Sequence, residues 1–131
     1  MQFEDIFEKN ENAIAIFQLD ELGYDRRFMG MKELEMCNKE VDASLYKMVY
    51  SYKDNLLDGN DIEIAEGIYF RFNENKPEDY RTYSLSISDI IAIKRYGVTR
   101  YYYVDSFGFA DVTEYFFDGQ HKERLGKTEK A

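Results

Sequence analysis

The sequence is poor in several residue types on which common protein classes depend. Its 131 residues contain one cysteine, one histidine, one proline and no tryptophan. The single Cys37 excludes an intramolecular disulfide, and no cationic segment followed by an apolar run opens the chain, so we expect a cytoplasmic protein. No apolar stretch approaches the roughly 20 residues of a membrane span, so we expect no membrane partner.

Basic residues are scarce in the first half of the chain. Residues 1–70 contain 7 Lys and Arg against 16 Asp and Glu, whereas residues 71–131 contain 10 of each, so the formal charge of -9 comes from the first half. This balance opposes direct binding to nucleic-acid phosphates and suits a partner protein with a basic surface. It also promotes solubility, and both interpretations stay open. The predicted partner surface consists of Glu4, Asp5, Glu8, Glu11, Asp20 and Glu21.

What the sequence does contain is the material for one folded domain over residues 1–131. It is 44% hydrophobic, and 12 Tyr and 10 Phe supply large rings for a core. The spacing of apolar residues in 3–7 predicts a short amphipathic N-terminal helix, and the apolar run 13–19 predicts a buried strand. Residues 20–28 are predicted to form a loop. A second short helix is predicted over 29–38, with Cys37 packed in it.

The remaining pattern alternates strands with one longer helix. In 45–52, Tyr46, Met48 and Tyr50 alternate with other residues, which predicts a strand with these three on one face. Asn60 and Glu63 form a capping-box pattern ahead of a helix over about 61–73. The stripe predicted to pack on the sheet is Ile62, Ala65, Ile68, Tyr69 and Phe72.

A hairpin is predicted around Tyr96-Gly97, with strands near 90–95 and 99–105, and the polar tail 118–131 is predicted to fray. Together these elements predict the α+β class: a single domain with a mostly antiparallel sheet of about four to five strands covered by two to three helices. We expect a monomer or a weak homodimer.

The scarcity of histidine limits the catalytic arrangements that the sequence can supply. Asp105 and Ser106 are adjacent, but strand neighbours point to opposite faces, and His121 lies in the polar tail. We therefore interpret Asp105, Ser106 and Gly108 as a turn that Phe107 and Phe109 fix to the core. The segment with Ser84, Ser86, Ser88 and Asp89 is interpreted in the same way, as a turn before Ile90.

Two other candidate sites have a structural alternative. Asp54, Asp58, Asn60 and Asp61 crowd together as a carboxylate metal site would require, but without EF-hand spacing, and helix capping is the favoured interpretation. We expect no metal and no cofactor. Tyrosines beside Arg95 and Arg100 suit the stacking of single-stranded bases, which we rank third because of the net charge. As an alternative protein-binding set we name Tyr96, Tyr101 and Tyr103.

Several motifs in the second half resemble one known family. They are Arg-Phe-Asn at 71–73, Pro-Glu-Asp at 77–79, Ser-Leu-Ser-x-Ser-Asp at 84–89 and Tyr-x-Val-Asp-Ser-Phe-Gly-Phe at 102–109. This pattern resembles the YodL-like domain family, and with a looser match upstream, including Arg27-Phe28, the resemblance covers residues 12–117. Where family members carry histidines, this chain has Lys76 before the proline and Thr82-Tyr83 before Ser84.

The resemblance implies a habitat rather than a reaction, because such domains occur in conjugative elements and phages of Gram-positive bacteria. The first hypothesis is a non-catalytic inhibitor whose acidic half docks on the basic nucleic-acid channel of a host Cas or restriction nuclease, as anti-CRISPR and anti-restriction proteins do. The alternative is an accessory protein-protein interaction module of such an element or phage. A nucleic-acid-binding module or a small enzyme ranks third.

Overall fold

The computed structural model describes residues 2–55 and 57–116 of the chain, and the predicted frayed tail and His121 lie outside them. Five strands form one antiparallel sheet in the order β2-β1-β3-β4-β5. This confirms the predicted α+β class with a mostly antiparallel sheet. The strands are β1 Ala13–Leu19, β2 Tyr46–Lys53, β3 Ile90–Arg95, β4 Val98–Val104 and β5 Phe109–Asp111.

Both faces of the sheet are covered, because the central strands β1 and β3 are apolar on both sides. On one face Ile14 and Ile16 of β1 pack in a core with Ile91 and Ile93 of β3 and with α3 (Asp61–Glu74). On the other face Ala13, Ala15, Ile90 and Ala92 pack with α1 (Phe3–Lys9), α2 (Met31–Met36) and the end of the described chain. A continuous apolar run is the sequence signature of such a two-sided strand.

The helix α1 lies against the outer strand β2. Ser51 Oγ donates a hydrogen bond to the Phe3 carbonyl over 2.6 Å, and the Phe3 ring packs on Tyr50 with centroids 5.0 Å apart. The Lys94 ammonium donates to the Phe7 carbonyl from the neighbouring part of the sheet. These contacts cover an edge strand, which is the part of a sheet most prone to pair with other chains.

The helix α3 begins with the predicted capping box. Asn60 Oδ1 accepts from the Glu63 amide, and Glu63 Oε1 accepts from the Asn60 amide, each over 2.9 Å. Its buried residues are Ile64, Ala65, Ile68 and Phe72. The predicted stripe is wrong at Ile62, which is 39% exposed, and Tyr69 is only half-buried. The buried residues fall within about 100° of one another around the helix, and Ile62 lies outside this stripe.

The predicted alternation of β2 is broken by a β-bulge. Ile16 pairs with Tyr50 while the next residue, Phe17, pairs with Met48, so Val49 has no partner in β1. Tyr46 and Met48 therefore pack on one face of the sheet and Tyr50 on the other. The prediction that these three share a face is wrong, because one extra residue reverses the alternation of side chains.

Three further local predictions are corrected by the structure. Residues Glu21–Arg26 form a 3-10 helix rather than an irregular loop, begun by Asp20 Oδ1 accepting from the Leu22 amide over 3.0 Å. The second helix is shorter than predicted, and Cys37 follows its last residue and is exposed rather than packed. The strand β5 was not expected. No helix in the described part of the chain is long and apolar enough to cross a membrane.

Candidate functional site

Three of the sequence motifs meet at one end of the sheet. The Phe28 amide donates to Ser88 Oγ over 3.2 Å, which joins the Arg27-Phe28 element to the serine-rich segment. The Ser88 amide donates to the Val104 carbonyl over 2.9 Å, which joins that segment to the end of β4. The Met31 amide donates to Asp105 Oδ1 over 2.9 Å and closes the ring of contacts. Motifs separated by dozens of residues therefore form one constellation.

The Ser88-Asp89 turn is the centre of this constellation. Ser88 has a φ of 88°, in the left-handed region that non-glycine residues rarely occupy. The Asp89 amide donates to the Ser86 carbonyl over 3.0 Å, and the Ser86 amide donates to Asp89 Oδ2 over 2.9 Å. Nearby, Ser84 Oγ accepts a hydrogen bond from the Lys76 ammonium over 3.0 Å. Ser86, Ser88 and Asp89 thus close a turn before β3.

Asp89 is buried, and this changes its acidity. Burial raises the pKa of Asp89 from 3.8 to about 7, against the opposing effects of hydrogen bonds from Ser86 and Gln18 and of the Arg27 charge. The Gln18 amide donates to Asp89 Oδ2 over 3.2 Å and to the Tyr83 carbonyl over 3.1 Å. Gln18 was not predicted as a site residue; its only signal is a polar residue near the end of an apolar strand.

Two tyrosines, the half-buried Tyr46 and the buried Tyr103, donate hydrogen bonds to the backbone of the same region. Tyr46 donates its hydroxyl to the Ser88 carbonyl, and Tyr103 donates to the Met29 carbonyl, each over 2.6 Å. Burial raises the pKa of both phenols well above the ordinary value. Each hydroxyl has a backbone carbonyl as its acceptor. Tyr46 therefore stabilises the strained Ser88 turn, and Tyr103 stabilises the Phe28-Met29 segment beside it.

The Asp105-Ser106 pair likewise forms hydrogen bonds with backbone groups. Asp105 Oδ1 accepts from the amides of Met31 and Ser106, and the Asp105 amide donates to the Gly108 carbonyl. Gly108 has a φ of 75°, so its position in the turn favours glycine. Phe107 was predicted to pack on the core, but it is 94% exposed, and Phe109 alone reaches the core, against Tyr69.

Gly30 brings the α2 helix close to this turn. A Cβ atom at Gly30 would meet Ser106 Oγ, and would lie 2.8 Å from Asp105 Oδ1. A larger residue at this position would force the Ser106 and Asp105 side chains to shift, although Asp105 Oδ1 is held by two backbone amides. The Gly30 amide donates to Glu33 Oε1 over 2.8 Å, and this hydrogen bond caps the start of α2.

An exposed group of aromatic rings surrounds Arg27 beside the constellation. The guanidinium carbon lies 4.6 Å from the centroid of the Tyr83 ring, 4.8 Å from that of Phe28 and 5.4 Å from that of Tyr24. Phe28 and Tyr83 are each 56% exposed, and Phe28 has a φ of 70°. Within the described residues Arg27 forms no ion pair. We call Tyr24, Arg27, Phe28 and Tyr83 the Arg27 patch.

The six predicted partner-binding acids form two groups rather than one patch. Glu4, Asp5 and Glu8 belong to α1 and Glu11 precedes β1, whereas Asp20 and Glu21 follow β1. A strand of this length spans about 23 Å, which exceeds the Debye length of about 8 to 10 Å in physiological salt. We call the first group the α1 acidic segment. It consists of Glu4, Asp5, Glu8 and Glu11, none of which forms an ion pair with another described residue.

The alternative tyrosine set is only partly accessible. Tyr96 lies exposed at the tip of the β3–β4 hairpin with a φ of 52°, followed by Gly97 with a φ of 83°. Tyr101 and Tyr103 are 8% and 1% exposed, so the expectation that they offer a binding surface is wrong. Both belong to the core on the α1 and α2 face of the sheet.

The residues of the suggested metal site have other roles. Asn60 caps α3, and Asp61 accepts from Arg95 over 2.8 Å and from the Tyr102 hydroxyl over 2.6 Å. Asp58 Oδ1 accepts from the Gly59 amide. Within residues 2–55 and 57–116, no group of three or more His, Cys, Asp or Glu side chains is arranged to hold a metal ion.

Comparison with known families agrees with the motifs that meet at this site. The profile of the YodL-like domain matches residues 13–115, well over half of the chain. The chain belongs to the YodL-like domain family. The match includes every residue of the Ser88-Asp89 turn and of the Arg27 patch. Searches of curated proteins and of solved structures returned no match to this YodL-like domain.

Proposed function

We propose that this YodL-like domain is a non-catalytic inhibitor, encoded by a phage or another mobile genetic element, that binds a host defence protein directed at nucleic acids. In this proposal the α1 acidic segment docks on the basic nucleic-acid-binding surface of a Cas or restriction nuclease. The observation that carries the proposal is that four carboxylates of one short segment form no ion pair with another described residue. Carboxylates in that state are available to a cationic partner.

The way in which α1 is held supports this role. The helix is fixed to β2 by the Ser51–Phe3 hydrogen bond and by the Phe3–Tyr50 ring contact. A charged surface that is already ordered loses little conformational entropy when it binds. The acids would therefore compete with the phosphates of a nucleic acid without a prior folding step.

The hydrogen bonds of Asp89 and Asp105, the two carboxyl groups at the candidate site, support a non-catalytic role. Asp89 Oδ2 accepts from Ser86 and Gln18, and Asp105 Oδ1 accepts from Met31 and Ser106. Among the described residues no hydrogen bond joins Ser106 Oγ to a general base. These groups stabilise loops, and a general base must instead lie within reach of a proton that it removes.

The decisive experiment combines capture with competition. Tagged protein is used to capture partners from a nuclease-treated lysate of a Gram-positive host, and each partner is purified and assayed for cleavage of its nucleic-acid substrate. We expect a nucleic-acid-binding partner whose cleavage is inhibited, and whose complex with this protein is displaced by added substrate. A captured partner that keeps full activity and binds substrate and this protein together would contradict the proposal.

A second candidate function is an accessory protein-protein interaction module without an inhibitory role. It is favoured by Tyr96, a large ring held exposed at a hairpin tip in the left-handed backbone region. Asn or Gly is the usual residue at such a turn position, so a large exposed ring there favours a binding role over stability. Loss of partner binding on Tyr96→Asn, with binding insensitive to salt and to charge reversal in α1, would support this candidate instead.

A further inference from the structure

The Arg27 patch contains a positive charge that no ion pair with another described residue neutralises. Arg95 pairs with Asp61 and Arg100 with Asp111, with closest nitrogen–oxygen distances of 2.8 and 2.7 Å. Arg27 forms no such pair within the described residues, although the formal charge of the whole chain is -9. The buried Asp89 close by accepts hydrogen bonds from Ser86 and Gln18 rather than from Arg27. Within the described residues the guanidinium donors of Arg27 have no hydrogen-bond acceptor, so they can bind an external one.

The patch is held in a fixed shape from beneath. The Phe28 amide donates to Ser88 Oγ, and the next residue, Met29, accepts from the buried Tyr103 hydroxyl. On the other side, the Tyr83 carbonyl accepts from the Tyr80 hydroxyl over 2.6 Å and from Gln18. Because half-buried hydrogen bonds fix the backbone on both sides, the rings that flank Arg27 need little ordering on binding.

The exposure of these rings is costly to the fold, which favours a binding role. Phe28 occupies the left-handed region, where a bulky residue is strained, and it leaves more than half of its surface in water. Aromatic residues and arginine are the residue types enriched among those that dominate binding energy in protein interfaces. A planar guanidinium held between rings is also suited to bind a carboxylate through two parallel hydrogen bonds.

We propose that the Arg27 patch binds a segment of a partner protein in which a carboxylate is flanked by apolar side chains. The carboxylate would accept from Arg27, and the apolar side chains would cover the rings of Phe28 and Tyr83. A polyanion is a poorer match, because some of its several phosphates would lie near the exposed Glu21 on the same 3-10 helix as Tyr24, whereas a single carboxylate on Arg27 need not. The site is separate from the α1 acidic segment and does not depend on the inhibitor proposal.

A peptide library tests the chemistry of the occupant directly. A random dodecapeptide phage library is panned on the whole wild-type protein, with counter-selection on the variant Arg27→Gln. We expect the retained peptides to be enriched in Asp or Glu adjacent to Leu, Phe or Ile. Retained peptides without acidic enrichment, or failure to retain any peptide that distinguishes the two proteins, would overturn the proposal.

Variants of the patch then locate the binding. The strongest retained peptide should bind Arg27→Gln at least about tenfold more weakly than wild type, and Arg27→Lys should not restore full affinity, because lysine lacks the planar fork. The control is Arg81→Gln, which removes an exposed arginine on the neighbouring segment and should leave affinity unchanged. If Arg27→Gln does not fold, Tyr83→Ala replaces it, because that side chain is largely exposed.

Two other occupants would contradict this assignment. If oligo(dT) binds and displaces the peptide only when Arg27 is present, the patch is a nucleic-acid site. If analytical ultracentrifugation shows a wild-type dimer that Arg27→Gln dissociates, the occupant is a second copy of this chain. Charge reversal in the α1 acidic segment should leave peptide affinity within about twofold, which separates this proposal from the inhibitor proposal.

Discussion

Phe28 and Ser88 both have left-handed backbone, with φ values of 70° and 88°, and they are hydrogen-bonded to each other. Each such residue costs of order 1 to 3 kcal/mol and persists only where its surroundings enforce it. Here the enforcing contacts are the hydroxyls of Tyr46 and Tyr103, which donate to the Ser88 and Met29 carbonyls. The strained backbone of Phe28 and Ser88 and the hydroxyls of Tyr46 and Tyr103 are therefore parts of one local arrangement.

The strain at Phe28 leads to a prediction about stability. Phe28→Gly should be about 1 kcal/mol more stable than Phe28→Ala, because both remove the ring but only glycine accepts a positive φ without strain. Urea denaturation of the two variants measures the difference. Equal stability would mean that the backbone relaxes when the ring is removed. Both variants should lose affinity for peptides selected on the Arg27 patch.

The buried carboxyl group of Asp89 leads to a prediction about pH. Because burial raises its pKa from 3.8 to about 7, the folded protein holds this proton more tightly than the unfolded chain does. The stability that Asp89 contributes is complete below its ordinary pKa and is lost as the pH rises through about 7. Asp89→Asn keeps an oxygen acceptor for the Ser86 amide but cannot ionise.

The expected outcome is a change in the pH profile of unfolding. Between about pH 5 and about pH 8, the free energy of unfolding of Asp89→Asn should fall less than that of the wild type. Urea denaturation at several pH values measures both profiles. Asp111→Asn is a suitable control. Hydrogen bonds from Thr113 and Arg100 and the Arg100 charge lower the pKa of Asp111 against the effect of its burial, so this carboxyl group is already ionised throughout the range. Parallel profiles for Asp89→Asn and wild type would contradict the assignment.

At the scale of elements, α3 is fixed to the sheet at its first turn and along one face. Asp61 joins the helix to β3 through Arg95 and to β4 through Tyr102. Farther along, Phe72 packs edge-on against Tyr50 and Tyr80, with ring centroids 5.7 and 5.1 Å away. The helix therefore covers the face of the sheet that contains Ile14 and Ile91.

This packing predicts different costs for two substitutions in one helix. Phe72 is fully buried, so Phe72→Ala should lower the free energy of unfolding by about 3 to 5 kcal/mol. Ile62 lies on the same helix but is partly exposed, so Ile62→Ala should cost less than about 1 kcal/mol. Denaturant titration measures both. A loss below about 1 kcal/mol for Phe72→Ala would mean that α3 does not pack as described.

On the scale of the whole molecule, two dissimilar surfaces lie beyond opposite ends of β1. Glu11 of the α1 acidic segment precedes the strand, whereas the Ser88 turn that supports the Arg27 patch lies past its other end. Their separation exceeds a Debye length in physiological salt, so their charges act almost independently. If both surfaces bind as proposed, a basic and an acidic partner region would not compete with each other for this protein.

Charge reversal tests the acidic surface. Changing Glu4, Asp5, Glu8 and Glu11 together to Lys should slow association with a captured partner by roughly tenfold or more at low salt, and the difference should shrink as salt is added. The control reverses Glu35, Glu40, Glu66 and Glu74, which are exposed elsewhere and change the net charge equally. Surface plasmon resonance at several salt concentrations measures both. An equal effect of the two sets would mean that only the net charge matters.

Local sequence patterns by themselves determined most elements of this protein. The run 13–19 is apolar except at Gln18, and its length and β-branched residues favour a strand that is buried on both sides. Asn60 with Glu63 specifies the start of α3. The Tyr96-Gly97 pair indicated the hairpin, because glycine can take the positive φ of a tight turn, and Gly97 has a φ of 83° in the structure. These features depend on interactions between residues close in sequence, so periodicity and capping rules are sufficient to find them.

Tertiary structure alone decided which polar residues lie together. Gln18, Arg27 and Ser88 are distant in sequence, and no local rule relates them, yet pairing of β1 with β3 brings Gln18 beside Asp89 and places Phe28 against Ser88. The bulge at Val49 and the burial of Tyr101 and Tyr103 were also set by pairing and packing across the sheet. Register and burial depend on long-range contacts, and a one-residue shift in pairing moves a side chain to the other face.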